Sequence, residues 1–204
     1  MKGDREQIFA RIRAALATRP ERAPAPDYPN DVAVARAALA GRDVVETFVS
    51  RLERVGGRAF TTPTALATWL REQKRMRGYC DPVLLPLVAP AFGPDFTVQT
   101  DFERARIDDY EFGITRAVGA IAETGSVVLD DAGTSTRLAA LAPWVHVAVV
   151  KRSELHRHVA AALSALGDDP NVIWVTGPSK TADVEGILIE GVHGPGEEVA
   201  LILG

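Results

Sequence analysis

The segment Gly177-Pro-Ser-Lys-Thr181 gathers backbone amides, the hydroxyls of Ser179 and Thr181, and the ammonium of Lys180 within five residues. It follows the apolar run 172–176, where an open α/β sheet places a ligand loop. Such a group suits a small carboxylate or phosphate, through charge-assisted hydrogen bonds and a nest of amides. It is not a Walker A loop, because the Gly-x-x-x-x-Gly-Lys spacing is absent. The plainer alternative is a tight turn shaped by Pro178 and Ser179, with Lys180 solvated. Asp183 and Glu185 come next; Asp183 either orients Lys180, binds a cation with Glu123, or sits at a helix N-terminus, where the dipole favours it without a ligand.

Other titratable groups fall at turns. Glu123 stands in Ala-Glu-Thr-Gly, after a strand-like run, as a candidate base or nucleophile. Its alternative is to cap nearby amides or to pair with Lys180 or Arg137. Thr124 and Gly125 then set the turn, glycine being the residue that reaches positive φ most easily. His193, in Gly-Val-His-Gly-Pro, is a candidate proton carrier near neutral pH, or a solvated loop residue. His146 begins an apolar strand and reads as a satisfied core or cleft-edge histidine. Arg137 follows the hydroxyl-rich loop Gly133-Thr-Ser-Thr136 and either clamps a carboxylate in bidentate fashion or forms a surface salt bridge. Asp101, Glu103, Asp108, Asp109 and Glu111 read as a solvated acidic face.

The elements that must position these groups alternate between helices and apolar strands. Residues 4–18 carry Ile8, Ile12, Ala15 and Leu16 at helical spacing, and four prolines within 20–29 make a linker or strap. That arrangement predicts an arm, 1–30, covering its own domain or packing on a partner or a second copy, followed by one domain over 31–204. Asp43 to Val55 is a helix stopped by Gly56-Gly57, and Thr62-Pro63 caps another that runs to about Lys74, with a short strand at 58–60 between them. The run 83–88, interrupted by Pro86, is expected at an edge or in an irregular segment. Runs 118–122 and 126–130 form a hairpin about Gly125. Residues 145–150 and 172–176 are buried strands, 153–166 a helix capped by Ser153, and 198–203 the last strand. A three-layer α/β fold follows.

Composition narrows the classes. The chain has 204 residues, 47% of them hydrophobic and 25% charged, which is globular and suits one sizeable core. Its net charge of −4 disfavours nucleic acid as a partner. No run of apolar residues is long enough to span a bilayer, and the N-terminus has no secretory pattern, so a cytoplasmic protein is expected. Cys80 is the one cysteine, so the chain cannot by itself ligate an iron–sulfur cluster. The four histidines do not form a recognisable zinc set, and no Gly-x-Gly-x-x-Gly fingerprint supports a nicotinamide or flavin site.

Three segments together resemble the lactate-utilisation protein C family. They are Gly113-Ile-Thr-Arg-Ala-Val-Gly-Ala-Ile-Ala-Glu-Thr-Gly125, Leu141-Ala-Pro-Trp-Val-His146, and Thr176-Gly-Pro-Ser-Lys-Thr-Ala-Asp183 continuing to Gly191-Val-His-Gly-Pro195. Their order and spacing across 107–204 carry the resemblance; the N-terminal half matches in general layout. The resemblance implies a Rossmann-like sheet similar to that of sugar-phosphate isomerases and CoA transferases, in which Glu123 would correspond to a nucleophilic glutamate. It implies a part in oxidising L-lactate to pyruvate beside iron–sulfur partner proteins, as a subunit without a cofactor of its own. Arg116 departs from the small residue often found after Ile-Thr in this family, adding a cation that alters any ligand preference carried over. Two other readings remain: a stand-alone anion-binding enzyme of acyl-CoA or sugar-phosphate type, and a non-catalytic module that binds a small anion.

Overall fold

A computed structural model describes residues 2–17, 41–166, 171–182 and 185–204. The chain divides into two units, 1–33 and 34–204. In the first, helix α1 (Lys2–Ala17) exposes Ile8, Phe9, Ile12 and Leu16. The proline-rich linker expected at 20–29 lies outside the described residues.

The second unit is built on a parallel sheet of six strands. These are β1 (Arg58–Phe60), β2 (Arg77–Cys80), β3 (Thr97–Gln99), β4 (Phe112–Arg116), β7 (Val145–Lys151) and β12 (Glu197–Leu203). Their spatial order is β1-β12-β7-β4-β2-β3. The chain leaves β2 toward β3 at one edge and leaves β4 toward β7 and β12 at the other, so winding reverses between β2 and β4. Alternation along β7 divides the core. Val145, Val147 and Val149 join Phe112, Ile114 and Leu201 on one face, under helix α3 (Pro63–Glu72) with Leu66, Trp69 and Leu70. Ala148 and Val150 face the other way with Ala200 and Ile202, under helix α2 (Val44–Arg54) with Phe48 and Leu52. Phe48 and Leu52 are fully buried, a gain of about 1.5–3 kcal/mol for each side chain.

Local signals set the helix ends. Asp43 caps α2 by accepting from the amides of Val45 (2.9 Å) and Glu46 (3.0 Å), and Thr62 caps α3 by accepting from Ala65 at 3.2 Å. Gly56, at φ +93, ends α2. Pro86 lies in the first turn of a short helix α4 (Leu85–Val88), where its missing N–H is not needed. The segment expected at an edge is therefore helical.

A second, four-stranded sheet shares the α2 face: β5 (Gly119–Ile121), β6 (Ser126–Asp130), β8 (Leu155–His156) and β9 (Val172–Val175), in the order β8-β5-β6-β9. The hairpin about Gly125 is present as antiparallel β5–β6. At φ +72, Gly125 lies with its backbone against that of Arg51 and Leu52 in α2. The run 172–175 belongs to this sheet, antiparallel to β6, and not to the parallel one. The helix expected over 153–166 is shorter. Leu155 and His156 are taken as a strand by pairing with Ala120 and Ile121, and helix α6 (Val159–Ala165) starts only after His158. The His158 ring, not Ser153, caps it, accepting from Ala161 N at 3.1 Å. On the α2 face of β4, helix α5 (Arg137–Leu141) approaches so closely that a Cβ at Gly113 would collide with the carbonyl of Ala139. Strands β10 (Lys180–Ala182) and β11 (Leu188–Glu190) form a separate antiparallel pair.

Candidate functional site

The structure brings the Gly-Pro-Ser-Lys segment to the C-terminal end of α2 and closes it there. The Lys180 ammonium donates to the Val55 carbonyl at 3.3 Å and pairs with Glu190 at 3.1 Å. A cation beside the last carbonyls of a helix is favourable without a ligand. Of the amides expected to form a nest, Ser179 N donates to Pro195 O at 2.9 Å, and the Ser179 carbonyl accepts from Gly191 N at 2.9 Å. Lys180 and Thr181 are strand residues in register with Glu190 and Ile189, so this stretch is no open loop. Gly177, at φ +77, is buried against the Val55 carbonyl. Asp183 lies outside the described residues.

Thr124 and Gly125 meet the same corner. A line of hydroxyls runs from Thr124 to Ser126 and from Ser126 to Thr176, each step 2.7 Å, tying the hairpin to the residue before Gly177. Glu123 points elsewhere: its carboxylate accepts from Val159 N at 3.1 Å, serving the first turn of α6. Arg137 pairs with Asp131 at 2.9 Å on an exposed surface. Neither of these two side chains contacts Lys180 in the hydrogen bonds and ion pairs they make here. His193 lines a cleft of about 640 Å³ with Arg75, Arg77, Glu111 and Trp144. These residues precede or open β2, β4, β7 and β12, so this cleft lies at the amino ends of the parallel strands. Glu111 belongs to the run read as a solvated face, yet its carboxylate accepts from the amides of Met76 (2.8 Å) and Arg77 (2.9 Å).

A further polar constellation sits inside the parallel sheet. Thr115 Oγ1 is 2.9 Å from His146 Nε2, and His146 Nδ1 is 2.9 Å from Glu198 Oε2. Thr115, His146 and Glu198 occupy β4, β7 and β12 and have 0%, 0% and 1% exposure. Hydroxyl, imidazole and carboxylate stand in the order of a nucleophile, its base and the group that orients the base. No surface reaches the Thr115 hydroxyl, however, so the set works as a sealed polar bridge across three strands. Burial pushes the Glu198 carboxyl above its ordinary range, while the neighbouring His146 pulls it back. His146 is the satisfied core histidine that its place in an apolar strand suggests. Glu198 escaped notice; the signal is a glutamate at an inward position of the strand Glu-Val-Ala-Leu-Ile-Leu.

Another cleft, of about 510 Å³, lies at the carboxyl ends of the parallel strands. Leu84, Leu87, Val149 and Leu203 form its apolar walls, and Arg116, Lys151 and Glu154 its charged rim. Arg116 ends β4 beside the reversal of winding, the position where open α/β sheets bind ligands. Its Nη2 is 3.5 Å from Glu154 Oε1, while Glu154 Oε2 accepts from Lys151 N at 3.0 Å. The hydroxyl of Thr134 donates to the Arg116 carbonyl at 2.9 Å and fixes the strand end. Among the described residues, no group of three or more His, Cys, Asp or Glu side chains converges as a metal site. No described helix is long and apolar enough to cross a membrane.

The parallel sheet with its reversal, flanked by helices and a second sheet, defines an α/β protein of Rossmann-like type. Residues 92–203 match the family model described as the LUD domain, and the chain belongs to that family. It is 29% identical to "Lactate utilization protein C" of Deinococcus radiodurans, over 98% of this chain and 94% of that protein. A protein of the same name from Bacillus licheniformis is 34% identical, over 44% of this chain and 41% of that protein. The crystal structure of a DUF162 family protein from Deinococcus radiodurans has a TM-score of 0.59 at 22% identity, covering 84% of this chain and 99% of that one. At this identity the likeness is one of fold.

Proposed function

We propose that this chain serves the oxidation of L-lactate to pyruvate, as a subunit or accessory that acts with iron–sulfur partner proteins in the cytoplasm. The observation that carries this reading is the match to "Lactate utilization protein C" of Deinococcus radiodurans along nearly the whole of both chains. Two electrons and two protons leave lactate when pyruvate forms, and cluster-bearing partners are the electron acceptors. The side chains that would make this chain a self-sufficient enzyme have other work. Glu123 holds the first turn of α6 and Lys180 the end of α2. That favours a supporting role over independent acyl or phosphoryl chemistry. Ile187, Leu188 and Val192, each more than half exposed, give this unit apolar surface for contact with a partner chain.

The test is recovery of the tagged protein from cells grown on L-lactate, with iron and lactate-dependent dye reduction measured in the eluate. Co-recovery of iron and activity is expected, together with loss of growth on L-lactate when the protein is removed. Glu123→Gln in the recovered complex is expected to leave the rate within about twofold, because a glutamine oxygen still accepts from Val159 N. Normal lactate oxidation without the protein would overturn the reading. Turnover of acyl-CoA or sugar-phosphate substrates by the purified chain, abolished by Glu123→Gln, would replace it.

A further inference from the structure

The cleft at the carboxyl ends of β2, β4, β7 and β12 plays no part in the lactate reading, and its size and lining specify a different kind of ligand. We propose that it binds an aliphatic monocarboxylate, the chain lying against Leu84, Leu87, Val149 and Leu203 and the carboxylate on the guanidinium of Arg116.

Three observations converge on this. At about 510 Å³ the cleft falls within the range of small-molecule sites, which is far more room than a three-carbon hydroxy acid fills. Its walls are leucines and valines, so most of the ligand surface they enclose must be apolar. Three charged residues line it as well, two cations, Arg116 and Lys151, with Glu154, and Arg116 and Glu154 lie 3.5 Å apart. A planar guanidinium has five N–H donors and takes a carboxylate in bidentate fashion. Arg116 spends one nitrogen on Glu154, at 3.5 Å, and keeps a fork for a second anion.

The head-group and chain sites are held by the same rigid elements. Arg116 is directly in register with Val149 across β4 and β7, and Leu203 with Lys151 across β12 and β7. The spacing of the cations from Val149 and Leu203 is therefore set by the sheet, and Leu84 and Leu87 come from the segment after β2. A strongly polar anion would leave the walls unused, and an uncharged alkane derivative would leave the guanidinium unused. A chain with one carboxylate uses both.

The experiment is calorimetric titration of the full chain with straight-chain monocarboxylates of increasing length, kept below their micelle concentrations. 1-Alkanols of matching length and L-lactate serve as comparisons. Carboxylate affinity is expected to rise about fourfold per added methylene until the cleft is filled, the factor for burying one CH₂. Arg116→Gln is expected to weaken carboxylate binding at least tenfold and to leave alkanol binding unchanged, while Arg116→Lys recovers part of the loss. Leu87→Asp, at a side chain 54% exposed and so tolerated by the fold, is expected to abolish both. Equal melting temperatures for the variants separate these effects from unfolding. Affinity independent of chain length, L-lactate binding as tightly as the longer acids, or an unchanged carboxylate affinity in Arg116→Gln would overturn the proposal. None of these outcomes bears on growth on lactate, so the two readings fail separately.

Discussion

Replacing His146 by leucine isolates the charge that it shields. The imidazole and the Glu198 carboxyl are both 1% exposed and 2.9 Å apart, so no water takes the place of the lost partner. An ionised carboxylate stranded there is costlier than a neutral one, and the carboxyl takes up a proton instead. The cost of that escape follows from the ordinary glutamate value of 4.5. At pH 7 the proton must be held two and a half pH units above that value, which costs about 3.4 kcal/mol at 1.36 kcal/mol per unit. At pH 5 the same arithmetic leaves about 0.7 kcal/mol. The sign is that of a carboxyl raised by burial: its contribution is intact below pH 4.5 and is lost as pH rises.

The assay compares His146→Leu with the double variant His146→Leu/Glu198→Leu by urea unfolding at pH 5, 6 and 7. Both variants lack the imidazole, so the gap between them reports Glu198 alone. The double variant is expected to be the more stable of the two at pH 7 by about 3 kcal/mol, and the gap is expected to close to under about 1 kcal/mol at pH 5. Equal m-values keep the comparison within one folding transition. A gap that stays constant with pH, or a double variant no more stable than His146→Leu at pH 7, would refute the argument that Glu198 is sealed from water.

Three further outcomes follow from single contacts. Asp43→Ala removes the acceptor for Val45 N and Glu46 N and is expected to cost about 1 kcal/mol, lowering the melting temperature by roughly 2–4 °C in a thermal scan. The Cys80 thiol is buried and pushed up to about 12, chiefly by desolvation and then by Asp81, so a maleimide is expected to label it only in denaturant; labelling of the native chain at neutral pH would contradict this. Gly113→Ala forces a methyl into the Ala139 carbonyl and is expected to destabilise by more than about 2 kcal/mol, read as a fall in the urea midpoint, whereas Gly186→Ala meets open space at φ +79 and is expected to cost less.

What the sequence made legible was local. Thr62-Pro63 is a cap because a short oxygen there reaches an amide three residues on, and β7 is legible because the run 145–150 suits a sheet covered on both faces. The hairpin about Gly125 is likewise set by a glycine at positive φ. The losses came where partners distant in sequence decide. Leu155 and His156 continue a helix pattern, yet pairing with Ala120 and Ile121 makes them a strand. Strands β2 and β3 are four and three residues long, too short for a period of two to register, and exist because each lies beside its neighbour.

The same distinction separates the charged residues at turns from the cleft at the carboxyl ends. Glu123, Lys180 and Arg137 drew attention as charges at turns, but turns are also where helix ends need acceptors and donors. Glu123 and Lys180 meet that need, at α6 and α2. The cleft at the carboxyl ends is assembled from strand ends and one short helix. Leu84 and Leu87 come from the segment after β2, Arg116 from the end of β4, Val149 and Lys151 from β7, and Leu203 from β12. The apolar ones are unremarkable where they stand, since an apolar residue late in a strand reads as core, and Arg116 stands out in sequence only as a cation in place of a small residue. Only the strand order, which puts β2 beside β4 and β4 beside β7, turns four unremarkable chain ends into one site. For a sheet of this kind the informative residues are therefore those at the carboxyl ends of strands next to the reversal, and Arg116, a cation at the end of β4, stands there.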